Sequence, residues 1–243
     1  MKNELPKISV LIITYNQEDV IGRALESLLR QKEFIYEICI NDDCSKDNTF
    51  GILEEYAEKY PDLIKPVRNE QNLGIFQNIE ATWDRPTGDM VYHLSGDDEC
   101  GEGYFKAVVD LIKNKGIDYK NELFCIYGDY VQKFPNDKSI YYKQKTAIRK
   151  VPPIRIKLRG LLSNRTACYS INILHKFKKV SEGRSYSVEA VQDTQLAMFT
   201  ERNYYVPKVG NIYYAAIGVS VNAKDEMKGR AGEMKKKLLD FME

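Results

Sequence analysis

Gly88-Asp89-Met90-Val91-Tyr92-His93-Leu94-Ser95-Gly96-Asp97-Asp98-Glu99-Cys100 decides how the rest of the chain is read. Met90 to Leu94 is a short run of mostly apolar, β-branched and aromatic residues, bounded by Thr87-Gly88 and Ser95-Gly96. That is the pattern of a buried strand ending in a turn. The carboxylates of Asp97, Asp98 and Glu99 follow at once. Adjacent carboxylates repel one another unless positive charge lies between them. A hard divalent cation such as Mg²⁺, held by one or two carboxylates plus substrate phosphates, removes that repulsion. The plainer alternative is an acidic turn capping a helix that begins near Glu102.

Working back from this stretch, the chain alternates strands and helices. Ile8 to Ile13 is an apolar run broken only by Ser9, as in a parallel strand covered on both faces. Thr14-Tyr15-Asn16 ends it, and Glu18 to Gln31 carries Val20, Ile21, Ala24, Leu25, Leu28 and Leu29 on one helical face. Ile35 to Asn41 reads as the second strand, with Asp47 or Asn48 capping a helix through about Lys59. Leu63 to Val67 is a third strand and Gly74 to Trp83 a third helix. Repeated βα units build a parallel sheet, and ligands bind outside the carboxyl ends of its strands. Thr14–Asn16, Asp42-Asp43 and Ser95–Asp98 all fall at such ends, so they converge.

Those same stretches carry a family resemblance. Ser95-Gly96-Asp97-Asp98 resembles the Asp-x-Asp motif of family 2 nucleotide-sugar glycosyltransferases of the GT-A fold. Val10-Leu11-Ile12-Ile13-Thr14-Tyr15-Asn16 resembles the family's first strand and turn. Ile40-Asn41-Asp42-Asp43-Cys44-Ser45-Lys46-Asp47-Asn48-Thr49 resembles its Asp-Asp-Gly-Ser-x-Asp-x-Thr stretch. The resemblance implies one GT-A-type α/β domain over residues 1–220, a mostly parallel sheet flanked by helices. Its nucleotide-binding half is about 1–115 and its acceptor half about 116–220. Thr14, Tyr15, Asn16, Glu18, Asp42, Asn72, Ser95, Gly96 and Asp97 become the expected nucleotide contacts. Asp97 and Asp98 become the expected ligands of Mg²⁺ or Mn²⁺. Gln192-Asp193 matches the family's Glu-Asp pair, which makes Asp193 the expected base removing the acceptor hydroxyl proton. From the residues alone, Asp193 is equally an N-cap to the run Leu196-Ala197-Phe199.

The implied reaction is inverting transfer of a hexose or N-acetylhexosamine from a nucleotide diphosphate sugar, UDP-linked in the first instance. The implied acceptor is a hydroxyl of a glycan or a lipid-linked pyrophosphate, in bacterial surface polysaccharide synthesis. This chain departs from the family in four places. Ile13 stands where Pro is common, Ser95 replaces the first Asp, and Gln192 replaces the first acid of the pair. Tyr214-Ala215-Ala216-Ile217-Gly218-Val219-Ser220 lacks the Arg and His of Tyr-Arg-x-His-x-x-Ser. Their help to metal or diphosphate must then come from elsewhere, Arg165 or the basic segment being the candidates. A non-catalytic sugar-nucleotide or polysaccharide-binding subunit of the same fold is the alternative reading.

Composition bounds the rest. At 243 residues, with 43% hydrophobic and 29% charged residues, the chain is an ordinary globular one. No apolar run approaches the ~20 residues that cross a bilayer, and the N-terminus lacks a signal-peptide pattern. Five cysteines without metal-site spacing suggest a reducing, cytoplasmic setting, with Cys39 a small core residue. Of 36 Lys and Arg, 12 lie between Lys138 and Lys179, where there is no Asp or Glu; the remainder carries 24 against 35 acids. Such segregation marks a face for an anionic partner, here a phosphate-bearing acceptor or the inner surface of the membrane. No nucleic-acid motif accompanies it, and no nucleic acid is expected.

Several classes are excluded. No Gly-x-Gly-x-x-Gly follows the first strand and no P-loop is present. A receiver domain would use Asp42-Asp43 but leave Asp97 to Glu99 without purpose. Past the acidic turn, Gly103 to Lys113 reads as a helix, Leu123 to Val131 as a strand, and Phe134–Asp137 as a hairpin turn. Tyr204 to Lys208 and Asn211 to Ile217 read as two final strands, and 221–243 as a charged C-terminal helix.

Overall fold

The computed structural model describes residues 4–144, 164–179 and 188–215. The chain runs β1 (Ile8–Thr14), α1 (Ile21–Leu29), β2 (Glu37–Asp42), α2 (Thr49–Lys59), β3 (Ile64–Arg68), α3 (Gly74–Thr82) and β4 (Met90–Ser95). It continues through β5 (Glu99–Cys100), α4 (Tyr104–Lys115), β6 (Phe124–Lys133), β7 (Ser139–Tyr142) and β8 (Cys168–Ser170). α5 (Ile171–Leu174), α6 (Val188–Phe199) and β9 (Arg202–Tyr214) complete it.

One sheet holds these strands in the order β3-β2-β1-β4-β8-β6-β9-β5, with β7 also paired to β6. β3, β2, β1 and β4 are mutually parallel. Beyond β4 the sheet is mixed: β8 runs antiparallel to β4 and β6, whereas β9 is parallel to β6. This is the expected α/β architecture, a curled and mostly parallel sheet flanked by helices.

Strand periodicity divides the core into two layers. Ile8, Val10 and Ile12 of β1 pack with α1 and α4, while Leu11 points to the other face with Trp83, Ile173 and Leu196. β4 repeats the split, with Met90, Tyr92 and Leu94 on the first face and Val91 on the second. On α1, Ile21, Ala24, Leu25 and Leu28 are all 0% exposed at helical spacing. Each such aliphatic side chain of Leu or Ile size contributes about 2 kcal/mol by burial. Cys39 is a core residue as expected, 1% exposed, and burial pushes its thiol up to about 11.

Three expectations change. The two final strands are one, β9, which passes through Pro207 without stopping. Its pairing with β6 jumps from Tyr127↔Tyr205 to Asp129↔Val209, so Pro207 lies in the irregularity, where its missing N–H costs no ladder bond. Asp193 is not an N-cap, because α6 begins at Val188 and Asp193 lies inside it. Glu99 is no turn carboxylate but starts β5, paired with Ile212 of β9. The basic segment is described only in part, and the C-terminal helix expected over 221–243 lies outside the described residues.

Candidate active site

The carboxyl ends of β1, β2 and β4 are sewn together by short polar contacts. The Asp43 N–H donates to the Thr14 carbonyl (3.0 Å), and the Gly96 N–H to the Ile13 carbonyl (3.1 Å). A side chain at Gly96 would place Cβ 2.3 Å from Gln17 Oε1 and 3.1 Å from Thr14 Cβ, so it would displace the Gln17 side chain and crowd the loop after β1.

The loops after β1 and β2 interlock through side-chain acceptors. Asn16 N–H donates to Ser45 Oγ (2.9 Å), Lys46 N–H to Asn16 Oδ1 (2.7 Å), Glu18 N–H to Asp47 Oδ2 (3.1 Å) and Asn48 N–H to Glu18 Oε2 (2.6 Å). Asn16 takes the left-handed backbone this needs, with φ 50°. Asp42 is fully buried, accepting from the Ser45 N–H (3.0 Å) and hydroxyl, with Arg68 Nε at 3.6 Å. Asp43 secures the next loop, accepting from the N–H groups of Leu73 (2.8 Å) and Gly74 (2.9 Å) where α3 begins.

A cleft of about 340 Å³ opens above these strand ends. Of the residues expected at the nucleotide, Thr14, Tyr15, Asn72, Ser95 and Asp97 border it together. Asn16, Glu18, Asp42 and Gly96 do not; they hold the loops behind it. A smaller cavity of about 90 Å³ adjoins, sharing Ile13, Ile75, Ser95 and Arg165 with the cleft, and Asp98 borders this one. Asp193 borders neither, although its neighbour Gln192 lines the smaller cavity.

The acidic turn is charged against its surroundings. Burial raises the Asp97 carboxyl above its usual range. Burial, then the neighbouring charge of Asp97, lifts Asp98 to about 7, opposed by Arg165 at 3.7 Å and the Tyr214 N–H at 3.2 Å. Two tyrosines at the end of β9 hold the flanking cations. The Arg165 guanidinium lies 4.0 Å from the Tyr213 ring centre, and Arg23 lies 3.6 Å from that of Tyr214. Arg23 Nη2 donates to the Asp97 carbonyl (2.6 Å), and its Nε approaches Glu99 at 3.5 Å. Among the described residues no three Cys, His, Asp or Glu side chains form a metal cage. A single cleft carboxylate nevertheless fits Mg²⁺ or Mn²⁺ when substrate phosphates complete the shell, and the strained ionisation of Asp97 and Asp98 favours such a cation. Tyr213 and the amide of Asn211 carry no motif, and sequence reading passed over both. Arg165 was a candidate only by the absence of other cations.

Comparison with known proteins follows the same lines. The family model described as Glycosyl transferase family 2 matches residues 9–176. The dTDP-rhamnosyl transferase RfbG of Shigella flexneri is 26% identical over 189 residues, 77% of this chain and 49% of RfbG. S. aureus TarS 1–349 in complex with UDP-GlcNAc superposes with a TM-score of 0.68 at 21% identity, covering 89% of this chain and 61% of that one. GalNAc-T7 with UDP, GalNAc and Mn²⁺ gives 0.62 at 14% identity, covering 88% and 44%. The chain thus spans less than two thirds of each of these proteins.

Proposed function

The chain belongs to glycosyl transferase family 2, and from that premise we propose that it transfers a hexose or N-acetylhexosamine from a nucleoside diphosphate sugar. The donor is UDP-linked, and the acceptor is a hydroxyl of a glycan or lipid-linked molecule in bacterial surface polysaccharide synthesis. One observation carries the reading: Asp97 shares a single cleft with Thr14, Tyr15 and Asn72, at the carboxyl ends of parallel strands. Thr14, Tyr15 and Asn72 bind base and ribose, with Asn16, Glu18, Asp42 and Gly96 shaping the loops that present them. Asp97, assisted by Asp98, would hold Mg²⁺ or Mn²⁺. When bound, that cation neutralises charge on the departing diphosphate. Arg165 adds a second positive charge to the same wall.

Asp193 acts as the base. Its carboxylate takes the acceptor hydroxyl proton while that oxygen forms its bond to the anomeric carbon. The bond from that carbon to the diphosphate oxygen breaks as the nucleoside diphosphate leaves with the electron pair, and the configuration inverts. The basic residues between Lys138 and Lys179 receive a phosphate-bearing acceptor or rest on an anionic membrane surface. No helix among the described residues is long and apolar enough to cross a membrane.

Calorimetric titration with UDP, with and without Mn²⁺, tests the reading on wild type and Asp97→Ala. The expected result is Mn²⁺-dependent binding that Asp97→Ala weakens about 100-fold, the loss of a charged ligand. Absence of UDP, dTDP and GDP binding to wild type sinks it. The position of Asp193, outside both cavity walls, favours a second reading as a sugar-nucleotide-binding subunit without turnover.

A further inference from the structure

Two buried amides on the wall of the smaller cavity have one atom each without a hydrogen-bond partner among the described residues. These are Nε2 of Gln192, a residue 7% exposed, and Oδ1 of Asn211, a residue 2% exposed. The Asn211 amide is oriented by Asp98, its Nδ2 donating to Asp98 Oδ2 at 3.3 Å. Its oxygen is therefore the end left over. Buried amides without partners oppose folding, and native chains keep them where something outside the chain answers them. Gln192 comes from α6 and Asn211 from β9, elements joined to the rest of the site through different contacts, yet both border one cavity.

The remaining wall is largely apolar, with Ile79, Phe177 and Leu196 beside the His93–Tyr169 pair. About 90 Å³ admits one edge of a sugar ring but not a nucleoside. Its shared border with the cleft, at Ser95 and Arg165, places it next to the expected diphosphate. A sugar hydroxyl is the group that suits an orphaned donor and an orphaned acceptor together, because it accepts and donates at once. The apolar wall suits the C–H face of a pyranose.

We propose that Gln192 and Asn211 recognise a hydroxyl of the transferred sugar in this cavity, and so select the donor. This rests on the reading of the cleft as a nucleotide-sugar site. A pocket built to bond a hydroxyl discriminates strongly against a sugar that lacks it, since both amides are then orphaned again.

The test is calorimetry on the full chain with Mn²⁺ present, comparing UDP with UDP-glucose, UDP-galactose, UDP-GlcNAc and UDP-GalNAc, and dTDP with dTDP-rhamnose. One sugar nucleotide is expected to bind wild type at least ~10-fold more tightly than its bare nucleotide. Gln192→Met is expected to abolish about 10-fold of that gain, leave bare-nucleotide affinity unchanged, and not lower the melting temperature. A residue holding the fold would instead lower the melting temperature and weaken both ligands alike. The matching deoxy-sugar nucleotide should bind wild type and Gln192→Met equally. Equal losses for nucleotide and sugar nucleotide, or no loss for either, overturn the assignment. So does the absence of any sugar-dependent gain in a wild-type chain that binds UDP. A wild type that binds none of the nucleotides overturns the reading of the cleft itself.

Discussion

Two buried carboxylates, one in each half of the sheet, brace their surroundings with different kinds of partner. Asp43, at the end of β2, gathers the N–H groups of Leu73 and Gly74 and the Asn69 amide (2.9 Å). Asp129, inside β6, gathers the hydroxyls of Tyr141 (2.6 Å) and Tyr205 (2.9 Å) and the Gln144 N–H (2.9 Å). Asp43 ties the end of β2 to the start of α3, 30 and 31 positions on, after α2 and β3 have returned the chain beside it. Asp129 takes Tyr141 and Gln144 from the β6–β7 hairpin, 12 and 15 positions on, but reaches Tyr205, 76 positions away, only because β9 returns to lie beside β6. The parallel half closes through consecutive βα units, whereas the mixed half also needs a strand from far along the chain.

The sharpest division is in chemistry. Asp193→Asn, on the second half, should lower turnover about 10²- to 10⁴-fold with UDP affinity retained, measured by steady-state kinetics and calorimetry. Unchanged turnover would remove Asp193 from the role of base, and nucleotide binding without turnover in wild type would move the protein to the binding-subunit reading.

Stability separates the halves next. Asp129→Ala orphans two hydroxyls and a buried N–H and should cost about 3 kcal/mol in urea denaturation. Asp43→Ala should cost less, about 1–2 kcal/mol, because the N–H groups it frees begin a helix at a partly exposed loop that water reaches. Equal losses would break the contrast.

The smallest effect is on pH. His93 joins the halves, its Nε2 2.7 Å from the Tyr169 hydroxyl across the β4–β8 boundary. Burial depresses its pKa from 6.5 to about 4, so the unfolded chain binds more protons between those values. Stability from the neutral ring is complete above pH 6.5 and is lost as pH falls toward 4. The raised pKa of Asp98 acts in the opposite direction between about 4 and 7. The difference between wild type and His93→Gln therefore isolates the histidine. Wild type should lose on the order of 1–2 kcal/mol more than the variant from pH 7 to 4, after discounting for water at the ring edge. Parallel pH curves for the two proteins would refute this.

The parallel half was legible because each part declares itself within a few residues. Ile8 to Ile13 is apolar but for Ser9, and Asp47 accepts from the Thr49 N–H (3.0 Å) beside the helix it starts. The mixed half was not. Pro207 and Gly210 suggest a break in β9, yet the register jump opposite Gly128 absorbs it, and nothing near Pro207 in sequence announces that partner. Asp193 resembles a cap because Leu196 and Ala197 follow it, yet the helix spans Val188–Phe199 and holds Asp193 in its interior.

Alone, the sequence determined the βα order, the strand ends where polar residues gather, and the carboxylates of the acidic turn, since all three follow from local periodicity and turn chemistry. Only the tertiary structure decided which of those residues border the cleft, which cations stack on Tyr213 and Tyr214, and that Gln192 and Asn211 share a cavity. Those facts depend on where β6, β8 and β9 join the sheet, and side chains from such distant strands become neighbours only when the sheet closes.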